Sequence, residues 1–311
     1  MKTNISLILI LCLLLGACKN GNASSQSKSE TPQDTIKAIK MPAIPQMMTA
    51  PEQRADFLAK HYWDNVNFAD TNYIHHPEVT EQAWADYCDL LNHVPLETAQ
   101  QAMRNVIDRT NVDKKVITYL TDLADKYLYD PNSPMRNEEF YIPVLEAMIA
   151  SPVLNETEKI RPQARLKLAQ KNRIGTKALN FTYTLASGAQ GSLYQLKAEY
   201  LLLFINNPGC QACTETIEGL KNAPIINQLL QEKKLVLLSI YPDEELDEWK
   251  KHLSEFPNEW INGYDKKFTI KEEQVYDLKA IPTLYLLDKD KTVLLKDATA
   301  PAIEAYLMQH Q

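Results

Sequence analysis

Two continuous apolar runs, Tyr200–Ile205 (YLLLFI) and Leu235–Tyr241 (LVLLSIY), limit the possible folds more than any other feature. A strand without polar alternation is buried on both faces, as parallel strands are when helices cover the sheet. Helix-period segments flank these runs. One starts at Cys210, breaks at Ala223-Pro224 and resumes as IINQLLQEKK. Another, EELDEWKKHLSEF, turns Leu246, Trp249, Leu253 and Phe256 to one face. Upstream, TKALNFTYTL reads as a short strand and SGAQG as a turn. Downstream of Pro282 come the strand TLYLLD, a turn at Asp290-Lys291, the strand TVLLK and a last helix, PAIEAYLMQH. Alternating strands and helices predict an α/β domain over 174–311, its sheet mostly parallel with an antiparallel hairpin at the edge.

Residues 51–173 carry a different period. Ala83, Trp84, Tyr87, Cys88 and Leu91 share a helix face, with Thr80 as the expected cap. Leu96, Ala99, Met103, Val106 and Ile107 mark a second helix, Val116, Leu120, Leu123 and Tyr127 a third, and Phe140, Val144, Leu145 and Met148 a fourth. Prolines 95, 131 and 134 fall at the joints, and a polar helix, NETEKIRPQARLKLAQKN, leads out. This predicts an all-α domain. Cys88 sits in an apolar stripe and reads as a packing residue. His75-His76 has no thiol or carboxylate at ligand spacing and reads as an ordinary loop pair.

The first residues, MKTNISLILILCLLLGACKN, combine a short basic start with an apolar stretch too short to span a bilayer comfortably. Leu15-Gly16-Ala17-Cys18 resembles the lipobox of bacterial lipoprotein signal peptides. That resemblance implies removal of residues 1–17, lipidation of Cys18 and a place in the cell envelope facing the periplasm, with the choice of inner or outer membrane open. Several acyl chains anchor stably, each buried methylene adding ~0.8 kcal/mol. Residues 18–50, rich in Ser, Asn, Gln, Lys and Pro, read as a flexible tether spanning roughly 30 Å. A net charge of −7 argues against nucleic acid as a partner.

Without Cys12 and Cys18, three thiols remain: Cys88, Cys210 and Cys213. Outside the cytoplasm an unpaired CxxC tends to oxidise. A strand, then CxxC opening a helix, then Ile281-Pro282 leading into a hairpin, resembles thioredoxin. The closest likeness is to exported, membrane-tethered thiol–disulfide oxidoreductases of that fold. Their lead-in of Gly, Ala and Phe recurs as Gly175, Ala178 and Phe181. The helical half resembles a poorly characterised domain found ahead of such modules in bacterial lipoproteins, and this likeness implies no activity.

The helix start supports a redox role. Free backbone N–H groups and the macrodipole favour a thiolate at Cys210, and Cys213, three residues on, shares its face. Cys210 is the expected nucleophile and Cys213 the resolving thiol, needing no cofactor beyond their own disulfide. The resemblance implies a cis Ile281-Pro282 bond facing the pair, its backbone receiving a client peptide, and no metal. Expected partners are exported proteins with disulfides, an electron donor in the membrane or periplasm, and the lipid bilayer through Cys18.

Three positions depart from the pattern. Pro208-Gly209 stands where a tryptophan usually precedes the first cysteine, and Phe204 where thioredoxin has a buried aspartate. Thr216 takes the place of a glutamate found in exported relatives, leaving Glu215, one residue off, as the candidate proton acceptor. A zinc clip needs about four ligands and CxxC supplies two. A redox-silent scaffold whose helical half binds a protein or glycan stays open as the alternative, and the redox direction is not readable.

Overall fold

The computed structural model describes residues 38–310. The signal segment, the lipidation site at Cys18 and the tether as far as residue 37 lie outside the described residues. From 38 to 50 the expected tether is instead packed down. Ile39 joins Trp63, Val66 and Phe68, and the Asn65 amide donates to the Lys40 carbonyl at 2.9 Å. Ile39 supplies the apolar contact that lays the start of this segment on the helices, in a stretch that also carries Met41, Ile44, Met47 and Met48.

The helical half contains α1 (Pro51–His61), α2 (Pro77–Leu91), α3 (Leu96–Arg109), α4 (Lys114–Ala124), α5 (Glu138–Ala150) and α6 (Glu156–Ala169). Its core joins Trp63, Trp84, Tyr87 and Leu91 to Met103, Ile107, Leu120 and Leu145. Cys88 is 2% exposed within it, and burial pushes its thiol above the ordinary range. Thr80 is not a cap. Pro77 opens α2 at its first position, leaving Thr80 inside, where its hydroxyl donates to the Tyr73 carbonyl at 2.7 Å. Leu96, expected inside, is 47% exposed at the start of α3. Directly after α4 the chain makes a π-turn, Asp125–Tyr129, and Tyr127 lies there rather than on α4. Asn155 and Glu158 form a capping box that starts α6.

The second half is a seven-stranded sheet: β1 (Thr182–Leu185), β2 (Gln190–Ser192), β3 (Tyr200–Ile205), β4 (Leu235–Tyr241), β5 (Ile261–Tyr264), β6 (Thr283–Asp288) and β7 (Val293–Lys296). Their order is β2-β1-β5-β4-β3-β6-β7. The two apolar runs are the central pair, parallel from Tyr200↔Leu235 to Ile205↔Ile240. Helices α7 (Gln211–Lys221), α8 (Pro224–Gln231), α9 (Leu246–His252) and α10 (Ala300–Gln309) complete this half.

The sheet is mixed rather than mostly parallel. Only β3–β4 and β4–β5 run parallel, while β6 lies antiparallel to β3 and β1 antiparallel to β5. A parallel return requires a crossover, usually a helix. None forms between β5 and β6, so β6 comes back antiparallel. Gln190–Ser192, read as part of a turn, pairs with β1.

Both halves fall in one compact unit. A buried ionic cluster joins them. The Lys279 ammonium meets Glu138 at 2.7 Å, Asp277 at 3.2 Å and Asp297 at 3.4 Å. Lys296 also pairs with Glu138, and Arg136 donates to the Asp297 carbonyl at 2.8 Å. Nearby, Arg173 holds Glu139, its Nε donating at 3.0 Å. Burial opposes ionisation of Glu138, but Lys279 and Lys296 outweigh it and hold the carboxyl below its usual range.

Candidate functional site

Strand β3 ends in Asn206, whose buried amide donates to the Ser239 hydroxyl at 2.8 Å and ties the exit of β3 to β4. Asn207, Pro208 and Gly209 then turn the chain into α7, with Gly209 at φ +73, a conformation only glycine adopts freely. Cys210 is the N-cap of α7. Its sulfur accepts the Cys213 N–H at 3.4 Å, and its thiol donates to the Ile281 carbonyl at 3.8 Å. A side chain in this position sits on the unpaired donors of a helix start.

Cys213 lies one turn in and is 2% exposed, while Cys210 is half-buried. Both are free thiols. Burial pushes the Cys213 thiol up to about 12; the Asn207 N–H pulls it back, and its hydrogen bond with Cys210 adds to the rise. Cys213 therefore keeps its proton at neutral pH.

The Ile281-Pro282 bond is cis, and both residues are half-buried beside Cys210. Among the described residues, the Ile281 N–H makes no hydrogen bond. Its carbonyl takes the Cys210 thiol, so one residue offers the site both a donor and an acceptor. Cys210, Cys213, Ile281 and Pro282 are thus brought together. Glu215 is not. Two residues beyond Cys213 is about 200° around a helix, and its exposed carboxylate accepts the Gln211 amide at 2.9 Å instead. Phe204 is buried edge-on to Trp260, with ring centroids 6.4 Å apart, so no acid occupies that position on β3.

Sequence reasoning missed what stands beside the cis-proline. The segment between the π-turn and α5 reaches the same surface. With α7, the cis-proline and the start of α10, it walls a cleft of about 860 Å³. Pro131 and Pro134 were read only as joints; no local signal says which surface a joint faces.

Residues 17–172 match a domain of unknown function, DUF5106, and residues 198–293 match the thioredoxin-like family. No curated protein matches the chain. Among solved structures, a thioredoxin-like protein from Bacteroides caccae is 83% identical, covering 89% of this chain and 100% of its own, with a TM-score of 0.87. The C-terminal domain of an uncharacterized protein from Bacteroides fragilis is 69% identical over 44% of this chain and 98% of its own, with a TM-score of 0.44. A conserved protein of unknown function from Bacteroides fragilis is 36% identical over 43% and 98%, with a TM-score of 0.42. The chain belongs to the DUF5106 family and is a thioredoxin-like protein, with the DUF5106 domain ahead of the thioredoxin-like one.

Proposed function

We propose that the protein is a thiol–disulfide oxidoreductase of the cell envelope that reduces, or isomerises, disulfides of exported proteins. The observation that carries this reading is the seat of Cys210. Its sulfur is hydrogen-bonded to the first turn of α7 and to the Ile281 carbonyl, with Cys213 in contact behind it.

In the forward direction the Cys210 thiolate attacks one sulfur of a client disulfide. A Cys210–client disulfide forms, and the other client sulfur leaves as a thiolate and takes a proton. Cys213 then gives up its proton and attacks the Cys210 sulfur. The second client sulfur leaves, and a Cys210–Cys213 disulfide forms. Two electrons have passed to the client, and a thiol donor must restore the pair. Ile281 supports docking, since a free N–H beside the Cys210 sulfur can donate to a carbonyl of an extended backbone. Attachment through Cys18 would keep this chemistry at a membrane surface.

Insulin disulfide reduction tests the reading, with Cys210→Ser as control and the thiols counted before and after oxidised glutathione. Turnover by the wild type and none by the variant is expected. A pair that oxidised glutathione leaves unchanged, or a variant that keeps its activity, ends this reading. The equilibrium against glutathione then fixes the direction.

A further inference from the structure

We infer that the helical half supplies one wall of the client-binding groove, so that selectivity for polypeptide disulfides resides in Pro131–Arg136. This rests on the oxidoreductase reading and adds the substrate class and the surface that selects it. The cleft runs away from Ile281-Pro282 between two unlike walls. On one side α7 presents Ala212, Thr216 and Gly219, small residues that leave room for a main chain, with the exposed Glu215 carboxylate beside them. On the other stand Pro131, Asn132 and Pro134, all exposed.

The second wall is built, not merely nearby. Its base is the π-turn, a form found often at functional sites. The Ser133 hydroxyl donates to the Tyr127 carbonyl at 2.6 Å, and the Asn137 N–H to the Leu128 carbonyl at 3.0 Å. Arg136 reaches across to the Asp297 carbonyl at 2.8 Å, within the cleft lining itself. Tyr129, last in the π-turn, lies under the Arg165 guanidinium at 4.0 Å and near the Lys279 ammonium at 5.2 Å, two residues before Ile281. The loop and the Ile281 backbone are therefore held at a fixed spacing. Arg136 and Asp297 spend their charges on each other, so the floor between them favours an uncharged stretch of chain.

The occupant that fits is an extended polypeptide segment flanking the client disulfide. It would pair with the Ile281 N–H and lie between the proline wall and α7. A compact disulfide needs only the Cys210 sulfur and gains nothing from the second wall.

The test uses the full chain. Asn132→Trp places a bulky ring at the rim, and the native side chain there is exposed, so folding is spared. The ratio of kcat/KM for insulin to kcat/KM for hydroxyethyl disulfide should fall about tenfold or more. A second measurement uses Cys213→Ala, trapped as a mixed disulfide either with a ten-residue cysteine peptide or with 2-mercaptoethanol. Amide exchange across 131–136 should slow in the peptide adduct relative to the other. An unchanged ratio, or equal exchange in the two adducts, overturns the inference and leaves the oxidoreductase reading standing. A wild type inert toward both disulfides removes that reading, and the inference with it.

Discussion

Lys279→Met tests the ionic cluster between the halves directly. The lysine side chain is 9% exposed and the carboxylates of Glu138, Asp277 and Asp297 around it 13%, 7% and 8% exposed, so solvent does little to screen the loss. In the wild type three cations, Lys279, Lys296 and Arg136, face these three carboxylates. The variant leaves one negative charge buried without a counterpart, a change that costs ~3–5 kcal/mol. Burial already pushes the Asp297 carboxyl upward, so it can take a proton and keep the cost near the lower end, ~3 kcal/mol. With a urea slope of ~3 kcal/mol per molar, the midpoint falls by about 1 M. Tryptophan fluorescence follows both halves, since Trp63 and Trp84 lie in one and Trp249 and Trp260 in the other. The gap between variant and wild type should narrow as pH falls below about 5. Protonation relieves the variant's carboxylates, while the wild type loses what Glu138 contributes as pH drops through its lowered pKa. Lys251→Met, at an exposed pair with Glu248, should leave the midpoint unmoved. A shift for Lys279→Met below ~0.3 M would show that the cluster behaves as a solvated surface pair and would refute the argument.

Three further outcomes are expected. Because burial raises the Cys213 thiol to about 12, its thiolate fraction grows about tenfold per pH unit below that value. Resolution of a preformed Cys210 mixed disulfide, followed by stopped flow, should rise in step from pH 7 to 10, and a plateau near pH 8 would contradict this. Cys88, buried and held protonated, should resist iodoacetamide in the folded reduced protein while Cys210 is labelled, as peptide mass spectrometry can show. Gly209→Ala meets open space but keeps φ +73, so it should cost ~1–2 kcal/mol, seen as a melting point lower by roughly 3 °C.

What could be read in advance was local. The central strands announce themselves because no polar residue interrupts them, and the cysteine pair because strand, turn and helix start lie within a dozen residues. β5 was missed for the opposite reason. Ile-Asn-Gly-Tyr has neither length nor alternation, and it is a strand only because β4 offers it partners from Leu238 to Tyr241. Long-range charge pairing was equally hidden. Glu138, Lys279 and Asp297 look like solvated side chains until the fold brings together residues 141 apart in sequence. Thr80 was misplaced because Pro77 competes for the start of the same helix and its fixed backbone wins. Glu215, one residue off the expected place and so turned by about 100°, is exposed at the cleft, where its carboxylate accepts the Gln211 amide.

The π-turn at Asp125–Tyr129 carries one residue more than an α-helical turn would, and that residue sets the phase of everything up to α5. Deleting any one of the four residues before Tyr129 would rotate it by about 100° and carry it off Lys279. The exposed side chains of the following loop, Pro131, Asn132 and Pro134, can change under such an arrangement, but its length cannot. Relatives that diverge in clientele should therefore differ here by substitution and keep the number of residues between α4 and α5, and an insertion would mark a lineage that has stopped using this surface.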